Sequence, residues 1–335
     1  MAKVVITGVA GFLGSHLADR FLAEGWEVVG IDNLLGGYLE NVPDGIMFAE
    51  LDLVRDLDFL EEMTEGADLF IHAACTAYEG LSVFSPSLVV SNTTQATTNA
   101  LVAAVNGKVK RFVYLSSMAR YGAQQNPFLE DYTPKPQDPY GIAKVASEEL
   151  VKNICDTHNL EWAILVPHNI IGPRQKFDDP FRNVASIMTN RMLQGKQPII
   201  YGDGTQQRCF SFVSDVVEPT FVACTQDVAV SQVINIGPDE ETITINELAQ
   251  KLAEIIGFDL DPIYTTGRPQ EVKLASCSAD KARELLGYET KTSLGQGLTE
   301  LVEWIREQGP REFDYHLPIE IDSDKVPTTW RNRLM

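Results

Sequence analysis

The run Lys3-Val4-Val5-Ile6 leads into Thr7-Gly8-Val9-Ala10-Gly11-Phe12-Leu13-Gly14, and these glycines constrain the chain more than any other stretch. The run reads as a strand. Leu17, Phe21 and Leu22 then recur with helical period, and Gly25 ends the helix. Trp26–Ile31 reads as a second strand, with Asp32 at its end. The unit is strand, helix, strand with a glycine-rich first turn. Gly8 permits the tight turn, Gly11 lets the backbone approach a pyrophosphate, and Gly14 lets the helix pack on the strand. Asp32 lies 24 residues beyond Gly8, where a carboxylate can bind ribose hydroxyls.

A carboxylate at that place repels a 2′-phosphate, and Asn33 to Tyr38 holds no arginine to receive one. The expected cofactor is therefore NAD rather than NADP. Met47–Glu50 reads as a third strand. Asp52, just beyond it, suits either the adenine amino group or a capping turn. Leu69–Ala73 is a fourth strand, and the small Ala73 and Ala74 let the chain pass close to a cofactor; His72 reads as a core histidine. Pro86 to Asn106 carries one long helical pattern. Arg111–Leu115 is a fifth strand that delivers Ser116 and Ser117 to the C-terminal edge of a sheet, where ligands bind in such folds.

After a proline-rich loop, Asp138 can cap a helix with Pro139 in its first turn. That helix runs from Tyr140 to about His158 and sets Tyr140 and Lys144 on one face, one turn apart. Glu161–Val166 is a sixth strand. Strands alternating with helices at this spacing predict an α/β fold: a Rossmann-type doubly wound parallel sheet. Beyond Val166 the rhythm changes to mixed helix, strand and loop, with Val233–Ile236 a candidate to rejoin the main sheet. The expected division is a dinucleotide domain over 1–166, joined by parts of 209–237. A smaller, discontinuous mixed α/β substrate domain covers 167–310. A tail over 311–335 packs on the body through Tyr315, Leu317, Pro318, Ile319 and Trp330.

The chain carries 27 basic and 47 acidic residues, a formal charge of −20, which argues against nucleic acid as a partner. Local arginines and helix N-termini must then hold any phosphate against an unfavourable field. No apolar run approaches a membrane span, and Met1 to Gly8 enters a strand with no signal-peptide pattern, so neither a membrane partner nor export is expected and the location reads as cytoplasmic. Five scattered cysteines, Cys75, Cys155, Cys209, Cys224 and Cys277, show no zinc spacing; they read as reduced thiols, with no metal.

Together these motifs resemble the extended short-chain dehydrogenase/reductases, and within them the nucleotide-sugar epimerase/dehydratase group of the UDP-galactose 4-epimerase type. The resemblance spans about residues 2 to 305. It rests on Gly8/Gly11/Gly14, Ser117 with Tyr140-x-x-x-Lys144, Asn169-x-x-Gly172-Pro173-Arg174, Gly202-Asp203-Gly204 with Arg208, Phe212 to Val217, and Arg268-Pro269. It implies Ser117, Tyr140 and Lys144 as catalytic residues. It implies cofactor contacts at Gly8, Gly11, Phe12, Leu13, Gly14, Asp32, Asn33, Asp52, Leu53, Ala73 and Ala74, with Tyr140 and Lys144 near the nicotinamide. The substrate would be a nucleotide-diphosphate sugar held by Ser117, Asn169, Arg208 and Arg268, arginine being suited to two phosphate oxygens at once. Arg174 reads as structural. The resemblance also implies a homodimer through Pro86–Asn106 and Tyr140–His158.

A free tyrosine, with pKa ~10, is too weakly ionised to act as base near neutrality. Lys144 and the positive nicotinamide ring are expected to lower that value. The pair after Ser117 then separates the reactions of the group. Dehydratases of this type carry Asp-Glu there and decarboxylases a Glu, whereas here it is Met118-Ala119, which moves no proton. The expectation is epimerisation at C4 of a UDP-hexose through a 4-keto sugar. Another oxidoreductase or dehydratase reaction on the same substrate class is the alternative, ahead of a non-catalytic NAD-binding role. Arg120 reads equally as facing the sugar or lying on the surface.

Overall fold

The computed structural model describes residues 1–335. β1 (Lys3–Thr7), α1 (Phe12–Ala23) and β2 (Glu27–Asp32) form the opening unit. β3 (Met47–Glu50), α2 (Leu57–Thr64), β4 (Leu69–His72) and the single turn α3 (Glu79–Ser82) follow. α4 (Pro86–Val90) and α5 (Ala96–Asn106) are joined by a π-helical turn over Ser91–Gln95. The single regular helix expected over Pro86–Asn106 is therefore widened in its middle. Thr97 and Thr98 there donate their hydroxyls to the carbonyls of Thr93 and Thr94 at 2.6 and 2.8 Å, back-bonding that distorts a regular turn.

β5 (Arg111–Leu115), α6 (Pro139–His158) and β6 (Glu161–Pro167) complete the first half. Next come β7 (Asn169–Ile171), α7 (Val184–Leu193), β8 (Ile199–Tyr201), β9 (Gln207–Arg208), β10 (Phe210–Phe212), α8 (Val213–Thr225) and β11 (Gln232–Ile236). The remainder is β12 (Ile243–Thr244), α9 (Ile245–Ile256), β13 (Ile263–Thr265), β14 (Leu274–Ala275), α10 (Asp280–Leu286), α11 (Leu294–Gln308) and the short α12 (Thr328–Arg331).

The main sheet has seven strands in the order β11-β6-β5-β4-β1-β2-β3. All its pairs are parallel, and β11 rejoins beside β6 with Val233 opposite Ile164. Side chains alternate across it, as the period of two requires. Val4 and Ile6, Val113 and Leu115, and Ala163 and Leu165 enter the core beneath α1 and α8. Val5, Phe112 and Tyr114, and Trp162, Ile164 and Val166 enter the core beneath α5 and α6. Strands buried on both faces explain the unbroken apolar runs in the sequence. The strand order reverses between β1 and β4, and their C-terminal ends lie level, with Thr7 opposite both Ile31 and His72. That reversal opens a crevice at the sheet edge. Three small sheets, β10-β7, β12-β9-β14 and β13-β8, build the wall facing it. No helix is long and apolar enough to cross a membrane.

Candidate active site

One cleft of about 470 Å³ runs from the glycine turn to the small sheets. At its floor the glycine spacing has a steric reason. A Cβ on Gly14 would stand 2.1 Å from the Gly8 carbonyl oxygen, one on Gly11 3.0 Å from it, and one on Gly8 2.8 Å from the Ala74 nitrogen. Gly8 also takes a φ of +75°. Gly11 is the N-cap of α1 and offers no side chain, and the first turn holds no acid. The amides of Phe12 and Leu13 are thus left for an anion. Asp32 accepts the N–H groups of Ala10 at 3.0 Å and Leu34 at 2.8 Å, which ties the carboxylate to the glycine turn while leaving it 9% exposed. Burial raises its pKa above the ordinary carboxylate value, against those hydrogen bonds.

Asn33, Asp52, Leu53, Ala73 and Ala74 also line this end. Asn33 accepts the N–H of Leu35, and Asp52 accepts that of Val54 at 2.9 Å. Asp52 therefore forms the turn that the sequence allowed, while it also borders the cleft. An uncapped helix start, a cradle that any Cβ would fill and a carboxylate at the end of β2 fit a dinucleotide whose ribose is unphosphorylated. His72 is a core residue: Thr7 and Thr97 hydroxyls meet its two ring nitrogens at 2.8 and 3.1 Å, and burial takes its pKa down to about 3.

Ser117, Tyr140 and Lys144 converge at the crevice. Ser117 lies two residues beyond β5 and accepts the N–H of Ala119 at 3.2 Å. α6 starts as its sequence requires, with Asp138 accepting the Gly141 N–H at 2.9 Å. That start buries Tyr140 to 5% and Lys144 to 1% exposure. Lys144 donates from Nζ to the Leu115 carbonyl at 2.6 Å and lies 5.8 Å from the Tyr140 ring centre. Burial works against its charge, but Cys75 and Tyr114 beside it outweigh that and raise its pKa above the ordinary lysine value. Tyr140 departs from expectation. Burial, with Cys75 beside it, pushes its pKa well above the usual value, and the Ser117 hydroxyl offsets only part of that rise. The protein alone therefore keeps Tyr140 a neutral phenol. The positive ring of a bound nicotinamide is the further charge, beside Lys144, that the expectation named.

At the far end, Asn169 on β7 donates to the Cys209 carbonyl at 3.0 Å. Arg208 and Arg268 stand together, both facing Glu271 Oε1, at 3.7 and 2.9 Å. The cleft thus collects cations from a chain of formal charge −20, which offsets locally the field that would repel a phosphate. Arg174 pairs with Asp19 at 2.6 Å, as a structural residue would. Arg120 is neither sugar-facing nor on the surface. It is 2% exposed and donates from Nε to both oxygens of Glu148, at 2.9 and 3.1 Å.

Three lining residues carried no sequence signal. Glu79, at the start of α3, is solvent-accessible within the cleft but walled in by protein. Enclosure and the neighbouring Asp138 raise its pKa, while Arg208 and Arg268 oppose the rise. Arg182 crosses from the α7 side to donate to the Gly36 carbonyl at 2.8 Å. Met335 reaches the cleft from the tail. None sits in a local motif, and each arrives from a distant part of the chain. No group of three metal-ligating side chains is gathered anywhere.

The profile of the NAD dependent epimerase/dehydratase family matches residues 4–237. A putative UDP-glucose 4-epimerase of Methanocaldococcus jannaschii is 32% identical over 308 residues, covering 90% of this chain and 98% of that protein. A UDP-N-acetyl-alpha-D-glucosaminuronate decarboxylase of Bacillus cytotoxicus is 31% identical, covering 91% and 98%. The crystal structure of a UDP-glucose 4-epimerase from Thermotoga maritima with UDP-glucose superposes with a TM-score of 0.86 at 31% identity, covering 91% of this chain and 99% of that one. The glycine cradle, the Ser117/Tyr140/Lys144 cluster and these matches agree, and the chain belongs to the NAD-dependent epimerase/dehydratase family that acts on nucleotide sugars.

Proposed function

We propose that this protein epimerises a UDP-hexose at C4. In this reading residues 1–166 hold NAD and residues 167–310 hold the nucleotide diphosphate, with Asn169, Arg208 and Arg268 on the phosphate side. Ser117 hydrogen-bonds the C4 oxygen and orients it. Tyr140 takes the proton of the C4 hydroxyl as the C4 hydrogen departs as hydride, leaving a 4-keto sugar. Lys144 steadies the phenolate through its charge. NAD, when bound, supplies the positive ring that completes ionisation of the phenol, accepts the hydride and gives it back. The ketone turns its other face inward, hydride returns to C4, and Tyr140 returns the proton to the oxygen. Atoms and electrons balance with no net change in the cofactor.

One observation supports epimerisation above the other reactions of the family. Beside Ser117 the cleft is lined by Met118 and Ala119, which neither donate nor accept a proton. Dehydration and decarboxylation of a 4-keto sugar both call for further acid–base or charge chemistry at the neighbouring carbons. Glu79 favours a second reading. It brings a carboxylate of raised pKa into the cleft from α3, a group suited to water loss. Incubation of the NAD-loaded protein with UDP-glucose, UDP-N-acetylglucosamine and UDP-glucuronate, read by proton NMR, separates the two. A C4-inverted UDP-sugar is the expected product. A 4-keto-6-deoxy sugar as the product would replace this reading by the second.

A further inference from the structure

The tail beyond α11 does more than cover apolar surface. Tyr78, Leu81, Phe84 and Phe181 bury one side of it through Leu317, Val326 and Trp330. Its other side touches the substrate end of the cleft. Tyr201, at the end of β8, stands between them. The guanidinium of Arg268 lies over the Tyr201 ring, 5.1 Å from its centre. The Tyr201 hydroxyl meets Thr329 Oγ1 of α12 at 2.6 Å and lies 4.0 Å from Met335 Sδ. The Trp330 indole closes the ring edge, 6.3 Å between centres. Trp330 and Arg268 also share Gly80 as a neighbour. A Cβ there would stand 3.1 Å from the indole and 3.4 Å from Arg268 Nη1.

The tail is itself fastened. The Tyr315 hydroxyl donates to the Thr329 carbonyl at 3.3 Å and accepts the Met335 N–H at 3.0 Å. Arg191 Nη1 donates to the Leu334 carbonyl at 3.2 Å. By contrast, Arg268 has one polar partner, Glu271, three residues away on its own loop, and its buried Nε has none. The ring of Tyr201 is therefore the rigid surface against which this arginine is held.

We propose that Thr329, Trp330 and Met335 form a positioning wall of the substrate site, which acts on Arg268 through Tyr201. The tail fixes the tyrosine, the tyrosine fixes the guanidinium plane, and the arginine meets a diphosphate without first losing side-chain freedom. This rests on the reading of Arg268 as a diphosphate ligand.

The test measures the Kd of UDP by titration calorimetry on the NAD-loaded protein. Thr329→Val keeps the shape of the side chain and removes the hydroxyl; Tyr201→Phe keeps the ring beneath Arg268 and removes its tether. Each should weaken UDP by about fivefold, the scale of ordering one rotamer-rich side chain on binding. The double variant should be no weaker than either single one, since both remove the same bond. Thr329→Ser should bind UDP as the wild type does, and NAD content should be unchanged throughout. Unchanged UDP binding in folded Thr329→Val and Tyr201→Phe, while Arg268→Ala weakens it, would overturn the wall and leave the arginine's role standing. Multiplying effects in the double variant would overturn it too. Unchanged UDP binding in Arg268→Ala would remove the diphosphate reading and the wall with it.

Discussion

Arg120 and Glu148 join the segment that carries Ser117 to the helix that carries Tyr140 and Lys144. Both are buried, with side chains 3% and 0% exposed, and the Ser116 hydroxyl donates to the same carboxylate. Arg120→Met keeps most of the volume and leaves Glu148 with Ser116 alone. Breaking one partner from a buried pair costs about 3–5 kcal/mol, against a total stability of roughly 5–15 kcal/mol for a domain. Arg120 Nη1 has no partner even in the intact pair, so the pair itself is imperfectly satisfied. Removing both charges should therefore be milder: Arg120→Met with Glu148→Met should recover at least half of the loss, short of the roughly 1 kcal/mol for the stranded Ser116 hydroxyl. Guanidinium unfolding of the three NAD-loaded variants, followed by circular dichroism, gives both numbers. A single-variant cost below about 1 kcal/mol, or a double variant as unstable as Arg120→Met, would refute the assignment of a buried structural pair.

Replacing Tyr140 by Phe should lower turnover by about 10²- to 10⁴-fold while NAD stays bound, and turnover near the wild-type rate would exclude this residue as the base. His72 and His168 are held neutral by burial, down to about 3 and about 4. The unfolded chain protonates them first, at about 6.5, so their stability is present above that pH and drains as the pH falls towards those values; roughly 3 kcal/mol should go between pH 6.5 and 5, and an unchanged unfolding midpoint over that span would contradict it. Glu79→Gln should keep epimerase turnover within about threefold and improve the relative use of UDP-glucuronate, because a carboxylate facing the sugar repels a second one; loss of all turnover would instead assign Glu79 to proton transfer. Val90 and Ile142 are exposed on α4 and α6, at 39% and 54%, and sedimentation should give twice the chain mass with Ile142→Asp returning it to one; a wild-type monomer would remove the dimer.

The parts legible in sequence were those whose cause is local. The glycine cradle is legible because a Cβ on Gly11 or Gly14 would press on the Gly8 carbonyl and one on Gly8 on the Ala73–Ala74 backbone, so only glycine fits. α6 announces itself by Asp138 and Pro139, and its burial of Tyr140 and Lys144 follows from helical spacing. β11 was legible as a β-branched run. The π-helical turn at Ser91–Gln95 was not, since threonine back-bonding competes with a pattern that otherwise reads as one helix. Arg120 was illegible because its partner lies 28 residues onward, on a face of α6 that only the folded sheet brings to it. Glu79, from a single-turn helix, and Met335, from the tail, enter the cleft far from each other in sequence and leave no periodic trace. Tyr140 was half legible: its place beside Lys144 was foreseen, but not the burial that raises its pKa.

The central claim is that C4 loses hydride and regains the same one. The NAD-loaded protein should be given UDP-glucose deuterated at C4, in ordinary water, and the product examined by NMR and mass spectrometry. The expected product is UDP-galactose with the deuterium still on C4 and no accumulation of NADH. Deuterium replaced by solvent hydrogen, or NADH formed in step with product, would contradict it.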